Sequence, residues 1–450
     1  MKVFVAEATH TGSRRRGWHG GLSWSGLAAE PWGERIRFIA LRYGAALLAA
    51  VEALAFARLL GPESYGRYAF VIQTAAVLAF AGAGSASGYV FAFYRDRDGE
   101  LEGTYLAGAL VQFLAGTAAI TALLALWNPD LAFSGILLLI LSPYLVSEPL
   151  LRVRNEFSVA VAGKALGSLA TLAAVLVASA AGAGRVGFHW ALAAALAGNA
   201  VGLGAYYVRL IRRNQDLFGW RTVRASLGRP GWWQRYFDRV LRPGLPLNAA
   251  TVVFLAFTFA DRFFVERYRS AEELSVYSLA WQLVQGSVLL LTSLNLISGV
   301  RVGERVAQSA ASLGREMERQ LRFTAAAGGL ALALLAAGSW LLERTVYRDY
   351  QGLLSMTMAI GAGYLAVNTA RSVSSVLFYA RRNLELTMAH VAVLAASIGG
   401  NLLALQLGLP YIAPVVFTSA ALLALSVWLL YYTRVVARGM SGAMPGAVAA

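Results

Sequence analysis

The chain contains no cysteine, which removes disulfides, thiolate metal sites and thiol nucleophiles from consideration. Lysine is almost as scarce: Lys2 and Lys164 are the only two in 450 residues. Charged residues of both signs make up 14% of the chain, against about a quarter in a soluble protein. Histidine occurs at His10, His19, His189 and His390 only, never in an H-E-x-x-H spacing. No G-x-x-x-x-G-K-[ST] phosphate loop is present, so the chain carries no ATP motor of that kind. Asp96 and Asp98 form a D-x-D, a spacing that holds a metal–nucleotide sugar in some glycosyltransferases. Here it lies in the mixed-charge run Arg95 to Glu100 and reads as a solvated charge cluster. No cofactor and no metal is implied.

Apolar residues fill the space left by these absences, at 58% of the chain. Runs near membrane length recur from end to end, which predicts a polytopic all-α membrane protein. Twelve hydrophobic segments are expected, at roughly 37–60, 68–93, 104–127, 131–151, 157–180, 187–211, 243–265, 274–299, 322–343, 353–379, 384–407 and 411–434. A count of ten or eleven with one re-entrant piece is the alternative. The net charge of +15 would suit nucleic acid in a soluble protein. In a membrane protein it belongs to the loops, and no nucleic-acid partner is expected. Arg14, Arg15, Arg16 and Arg35 precede the first segment. Arg212 to Arg242 lie between the sixth and seventh, and Arg301 to Arg322 follow the eighth. Arg381 and Arg382 follow the tenth, and Arg434 and Arg438 end the twelfth. The alternate loops are short and nearly neutral. This asymmetry predicts cytoplasmic termini. Residues 1–36 lack the apolar core and cleavage site of a signal peptide and read as a cytoplasmic tail.

Tyr68 and Gln73 recur in spacing at Tyr277 and Gln282, Arg58 corresponds to Arg262, and Arg154-Asn155 to Arg382-Asn383. These pairs predict two six-helix bundles, 37–211 and 243–434, related as parallel repeats around a central path. A cytoplasmic tail, 435–450, follows. The linker, 212–242, places Trp232, Trp233, Tyr236, Phe237, Val240 and Leu241 at helical spacing among Arg235, Arg239 and Arg242. That pattern predicts a short amphipathic helix on anionic lipid, begun by Pro230-Gly231 and ended by Pro243 and Pro246.

An ionic side chain at mid-membrane costs about 2.5–3.5 kcal/mol on insertion scales, so it faces a cavity or a partner. Arg371 heads the candidates. Asn368, Arg371, Ser372, Ser375 and Tyr379 share one helix face, which suits either a wet cavity wall or helix–helix hydrogen bonding. Segment eight repeats the pattern with Ser278, Gln282, Gln285, Thr292 and Asn295, and segment two adds Gln73. Arg42 and Lys164 lie near segment ends and are long enough to reach headgroups; substrate contact is the other reading. Glu52, near mid-span, either pairs with an arginine or takes part in proton or cation coupling. Arg58, Asp261 and Arg262 lie at the far ends of segments one and seven. His390 reads as a packed core residue or a proton relay.

The phrase Ala57-Arg58-Leu59-Leu60-Gly61-Pro62-Glu63-Ser64-Tyr65-Gly66-Arg67-Tyr68, written A-R-x-L-G-x-x-x-Y-G-x-Y, resembles the first outer turn of the polysaccharide-unit, Wzx-like flippases. These belong to the multidrug/oligosaccharidyl-lipid/polysaccharide exporter superfamily. Asp261-Arg262-Phe263 and Val276-Tyr277-Ser278-Leu279-Ala280 resemble the D-R-F and Y-S-x-A phrases of the same family. The resemblance implies a transporter, not an enzyme, that moves an isoprenoid-pyrophosphate oligosaccharide across the bacterial inner membrane for polysaccharide or lipopolysaccharide assembly. It implies headgroup contacts at Arg371, Arg42 and Lys164, and sugar contacts at Gln73, Gln282 and Asn368. Gating or coupling would fall to Arg58, Asp261, Arg262 and Glu52. A polymerase and glycosyltransferases are the implied partners. A multidrug antiporter of the same superfamily is one rival, although it needs acids where this chain has mostly bases; a lipid-linked peptidoglycan precursor flippase is another, although relatives of that kind usually have two more helices than the twelve expected here. A glycan polymerase or ligase would need a large outer loop, and every such loop here is short.

Overall fold

The computed structural model describes residues 32–82, 100–153, 157–180, 187–213, 220–308, 310–380 and 382–442. Among the described residues there are thirteen α-helices and no strand. In chain order they are α1 (Trp32–Gly82), α2 (Glu100–Trp127), α3 (Ala132–Val153), α4 (Phe157–Ala180) and α5 (Phe188–Arg213). The short α6 (Trp220–Leu227) and α7 (Trp232–Tyr236) follow. The series ends with α8 (Arg242–Tyr268), α9 (Ala271–Gln308), α10 (Ala310–Thr345), α11 (Leu353–Tyr379), α12 (Asn383–Gln406) and α13 (Ala413–Gly442). The N-terminal tail, the Asp96/Asp98 cluster, Arg154-Asn155 and residues 443–450 lie outside the described residues.

Eight of the helices hold a stretch long and apolar enough to cross a membrane: α1, α2, α3, α5, α10, α11, α12 and α13. Leu123, Leu126, Val177, Leu330, Leu334 and Val427 are exposed. So much bare aliphatic surface is a liability in water and a match to lipid tails. Helices α8 and α9 are more polar, carrying Asp261-Arg262 and Gln282, Gln285 and Asn295. Their surroundings explain this, because both face other helices of the chain, α9 packing on α1 and α11.

The first two expected segments form one element, α1, broken at Gly61. Gly61 has φ 73° and ψ 170°, a region closed to residues with a Cβ. Pro62 then starts the second arm, where a missing N–H does no harm. The rings of Phe56 and Tyr68 stack at 4.5 Å. Twelve residues along a straight helix would separate them by about 18 Å, so the chain doubles back at Gly61.

The connections gather at this end in a closed circuit. Arg67 bridges to Asp130 at 2.7 Å, and Asn128 donates to Glu266 at 3.5 Å. One turn on, Arg269 donates to the Leu409 carbonyl at 2.5 Å. Tyr411 donates to the Gln351 carbonyl at 3.3 Å, and the adjacent Tyr350 donates to Ala57 at 2.7 Å. Burial, with Glu273 and Glu343 nearby, pushes the Tyr411 hydroxyl above its ordinary range, which keeps it a donor.

Glycine sets the closest helix crossing. Gly163, Gly167 and Thr171 of α4 face Gly198, Gly202 and Tyr206 of α5, and a Cβ on Gly202 would fall 2.3 Å from the Gly167 nitrogen. In lipid, where apolar burial drives little, small residues let backbones approach and gain dispersion contacts.

The linker departs from the expected surface helix. The expected helix does begin after Pro230-Gly231, as α7, with Gly231 in the left-handed region at φ 68°, and a further short helix, α6, precedes it. A π turn, Phe237–Leu241, then runs straight into α8. Pro243 sits in the first turn of α8 and so opens that helix instead of ending the linker. The apolar face is divided. Tyr236 and Val240 are buried with Tyr105, Leu106, Phe113, Val146 and Leu150 of α2 and α3, whereas Trp233 and Phe237 are exposed. Tyr236 packs over Gly108, where a Cβ would meet its ring at 2.2 Å, and donates to Gln112 Oε1 at 2.5 Å. The linker is thus keyed to the first half and covalently continuous with the second.

Candidate functional site

The sequence candidates separate into two groups joined by one helix face. The first lies where α1 meets α8, α9 and the α10–α11 connection. Asp261 and Arg262 are both fully buried. Asp261 Oδ1 accepts from the Arg262 backbone N–H at 2.9 Å and from the Tyr277 hydroxyl at 3.0 Å. The Arg262 guanidinium lies over the rings of Tyr277 and Trp281, at 5.3 Å and 5.6 Å. Desolvated contacts of this kind are worth about 2 kcal/mol or more. Tyr65 and Tyr364 stand within electrostatic reach of it. This is a sealed box of aromatic walls around one acidic and one basic side chain.

Around the box the two halves of the chain close on each other. Phe70 meets Phe263 edge-on at 5.6 Å, and Tyr65 meets Tyr350 at 6.3 Å. Tyr347 donates to the Leu54 carbonyl at 2.7 Å, as Tyr350 does to Ala57. The break at Gly61 leaves carbonyls of the last α1 turn without helical donors, and the tyrosine on Ala57 supplies one. Gly66 allows the approach, since a Cβ there would fall 2.4 Å from the Ala271 carbonyl oxygen. Arg58 is exposed at this rim, unlike Arg262, so the paired arginines of the apparent repeat occupy dissimilar surroundings.

Glu52 faces Ser168 of α4 and lies near Tyr65 and Tyr68. Gln73 is buried, and neither amide atom has a protein partner among the described residues. Gln282 is half-buried. The side chains of Arg42 and Lys164 lie outside the described residues, although their backbones belong to α1 and α4.

The second group is centred on Arg371. Its guanidinium stacks on the Phe254 ring of α8, 3.7 Å from the centroid, and its Nη2 is 3.4 Å from His390 Nε2 of α12. Phe254 and His390 meet edge-on at 5.6 Å. His390 Nδ1 lies 2.7 Å from the Leu386 carbonyl. A carbonyl can only accept, so Nδ1 carries the proton and Nε2 presents its lone pair to Arg371. Among the described residues no carboxylate lies within ion-pair distance of Arg371, and the side chain keeps partial exposure. His390 supplies the hydrogen-bond partner that sequence spacing alone did not assign to Arg371.

The other members of the expected stripe turn elsewhere. Asn368 donates back to the Tyr364 carbonyl, and its own carbonyl accepts from Asn295 at 2.7 Å. Ser372 accepts from Thr324 of α10 at 3.1 Å, and the Tyr379 side chain lies outside the described residues. Tyr364 joins the two groups: it meets Trp281 edge-on at 4.5 Å and lies within electrostatic reach of both Arg262 and Arg371. Tyr364 and Arg371 are seven residues apart, two helical turns along one face. That face of α11 therefore leads from a fully buried arginine to a half-buried one.

No family model matches the chain, and no curated protein matches it. Solved structures do. The lipid II flippase MurJ in an inward closed conformation aligns with a TM-score of 0.68 at 15% identity, over 90% of this chain and 90% of that one. An inward-facing multidrug resistance MATE family transporter of the MOP superfamily aligns with a TM-score of 0.64 at 15% identity, over 89% and 96%. A MOP superfamily transporter from Pyrococcus furiosus, described for the reverse polarity of its binding pocket, aligns with a TM-score of 0.61 at 14% identity, over 90% and 96%. Identities this low establish the fold alone. The chain has the fold of the MOP superfamily transporters, as a multi-pass, all-helical membrane protein.

Proposed function

We propose that this protein is a flippase for a lipid-linked oligosaccharide, with the anionic pyrophosphate headgroup held at Arg371. The observation that carries the reading is the guanidinium of Arg371, a half-buried residue, embedded on Phe254 with no carboxylate partner among the described residues. An embedded cation without a counter-ion is costly, and a phosphate oxyanion is the ligand whose geometry a guanidinium fork matches. The MurJ-like fold and the flippase-like phrases at Gly61 and Asp261 support it. In this reading the helices make twelve crossings in two bundles, with the linker end cytoplasmic and the Gly61 end outside. The aromatic box is the closed outer gate. The headgroup enters from the linker end and the lipid tail stays in the bilayer. Arg42 and Lys164 add charge along the entry path. Gln73, Gln282 and Asn368 meet sugar hydroxyls, Glu52 takes part in coupling, and Arg58 stands at the rim. Anionic lipids hold the exposed arginines of the linker, and a polysaccharide polymerase and glycosyltransferases work beside it.

The rival reading, a cation-coupled multidrug antiporter, shares the fold. Reconstituted vesicles separate the two. A fluorescent isoprenoid-pyrophosphate oligosaccharide, read with an impermeant quencher, should exchange between leaflets only when the protein is present. Extrusion of a cationic dye, without such exchange, would replace this reading by the rival.

A further inference from the structure

We propose that anion binding at Arg371 is coupled to the uptake of one proton by His390, making the site a proton-linked anion site. This rests on the reading of Arg371 as the headgroup ligand. The geometry fixes the starting state. With Nδ1–H committed to the Leu386 carbonyl at 2.7 Å, the imidazole can gain a proton only at Nε2. That lone pair faces the Arg371 Nη2 at 3.4 Å. A proton added there would set an N–H against an N–H, and one cation against another, on an apolar wall formed by Phe254.

An oxyanion changes this balance. As it takes the Nη2 hydrogen of Arg371, it frees the Nε2 lone pair. A proton from water then binds Nε2, and the new N–H donates to the same anion. One proton is taken up per anion, no covalent bond of the ligand breaks, and the site passes from one positive charge to two around a bound negative group. Release of the anion reverses both steps.

Among the described residues, the other elements packed on α12 supply no acid that would substitute for the anion. From α11 the facing charge is Arg371. From α8 the facing group is Phe254, which does not titrate. At the near end of α12, Glu385 is engaged by Arg382 at 2.8 Å and by Tyr432 of α13 at 3.5 Å, more than a turn away from His390. Further along, the α13 contact is the neutral pair Ser397 and Thr418 at 2.9 Å.

The test is calorimetric titration of the purified full-length protein in two buffers of different ionisation heat, which counts protons taken up per ligand bound. The probes are a sugar–pyrophosphate–isoprenoid diester and a lipid-free nucleoside-diphosphate sugar. Both are pyrophosphate diesters that do not themselves titrate near neutrality. The expected result is net proton uptake with the lipid-linked probe, and affinity that weakens as pH rises, by up to about tenfold per unit. The lipid-free probe should bind more weakly with the same uptake. His390→Gln should lose the uptake and the pH dependence of the affinity, and bind the lipid-linked probe more weakly while still depending on Arg371. His390→Asn, whose amide can still reach the Leu386 carbonyl, should do the same and guards against a folding defect in the first variant. Arg371-dependent binding with no proton uptake in the wild-type protein, or uptake unchanged in both His390 variants, would overturn the coupling and leave the anion site standing. Binding that survives Arg371→Gln, or binding of the lipid-free probe alone, would remove the underlying reading instead.

Discussion

Arg262 and Arg371 are both embedded guanidiniums near one tyrosine, Tyr364, yet they keep different company. Arg262 is fully buried beside Asp261 and roofed by Tyr277 and Trp281. Arg371 is partly exposed, rests on one ring, and donates to a histidine. A charge with an acid beside it and aromatic walls built around it is enclosed by the fold, and its removal leaves a hole and a buried carboxyl group with no basic neighbour in the box. A charge with no built-in counter-ion is unfinished, and a ligand can complete it. Residue type alone does not separate the two, whereas their neighbours do.

The comparison is broken most forcefully at Arg262. Replacing it by alanine strands Asp261 in a sealed box, which destabilises a protein by about 3–5 kcal/mol. Arg262→Ala should therefore lower the yield of monodisperse detergent-solubilised protein and its melting temperature sharply. Arg371→Ala should lose far less of either, because it removes a charge with no built-in carboxylate among the described residues and gives up only a ring contact and one hydrogen bond to His390. Equal losses of stability in the two variants would erase the distinction.

A smaller effect is expected at the contact between halves. Gly66→Ala places a Cβ 2.4 Å from the Ala271 carbonyl oxygen, a backbone atom that cannot swing away. Overpacking of this sort costs about 1–3 kcal/mol, here set against the state in which the Gly61 end is closed. With no native cysteine to interfere, a single cysteine at Gln73 should react faster with a soluble maleimide in the Gly66→Ala background. Unchanged labelling would show that the approach of α1 to α9 does not control access.

The mildest predicted change is loss of one hydroxyl. Tyr350→Phe removes the donor to the Ala57 carbonyl, worth about 0.5–1.5 kcal/mol, and should bias the protein away from closure at that end. Tyr236→Phe removes the donor to Gln112 at the linker and should have a similar effect on stability without changing labelling at the Gly61 end. If Tyr236→Phe altered that labelling as strongly as Tyr350→Phe, the linker would be part of the gate.

Much of the architecture was legible because helix boundaries follow hydropathy. The segments expected at 157–180 and 353–379 coincide with α4 and α11. The break at Gly61-Pro62 was legible as a turn. Its form, one helical element folded back on itself, depends on φ and ψ of a single glycine. The linker was half legible. Helical spacing put Tyr236 and Val240 on one face correctly, but spacing does not say whether protein or lipid covers that face. Here Gly108 opens a socket on α2 for Tyr236, and a socket is a property of two helices together.

The site was legible as a set of polar residues and not as an arrangement. Asn368, Arg371 and Ser372 share a stripe on α11, yet their side chains turn back to the Tyr364 carbonyl, to Phe254 with His390, and to Thr324 respectively. A helix face wide enough to carry them all touches several neighbours at once. His390 was readable only as core or relay, because its partner lies nineteen residues earlier on another helix.

The central claim is that Arg371 serves a ligand and not the fold. The most direct test is leaflet exchange of a fluorescent isoprenoid-pyrophosphate oligosaccharide in vesicles, with wild-type protein, Arg371→Ala and Arg371→Lys prepared side by side and shown to melt alike. Loss of charge-assisted hydrogen bonds to a phosphate should slow exchange by about ten- to a hundredfold in Arg371→Ala, with partial recovery in Arg371→Lys. Exchange at the wild-type rate in a well-folded Arg371→Ala would contradict it.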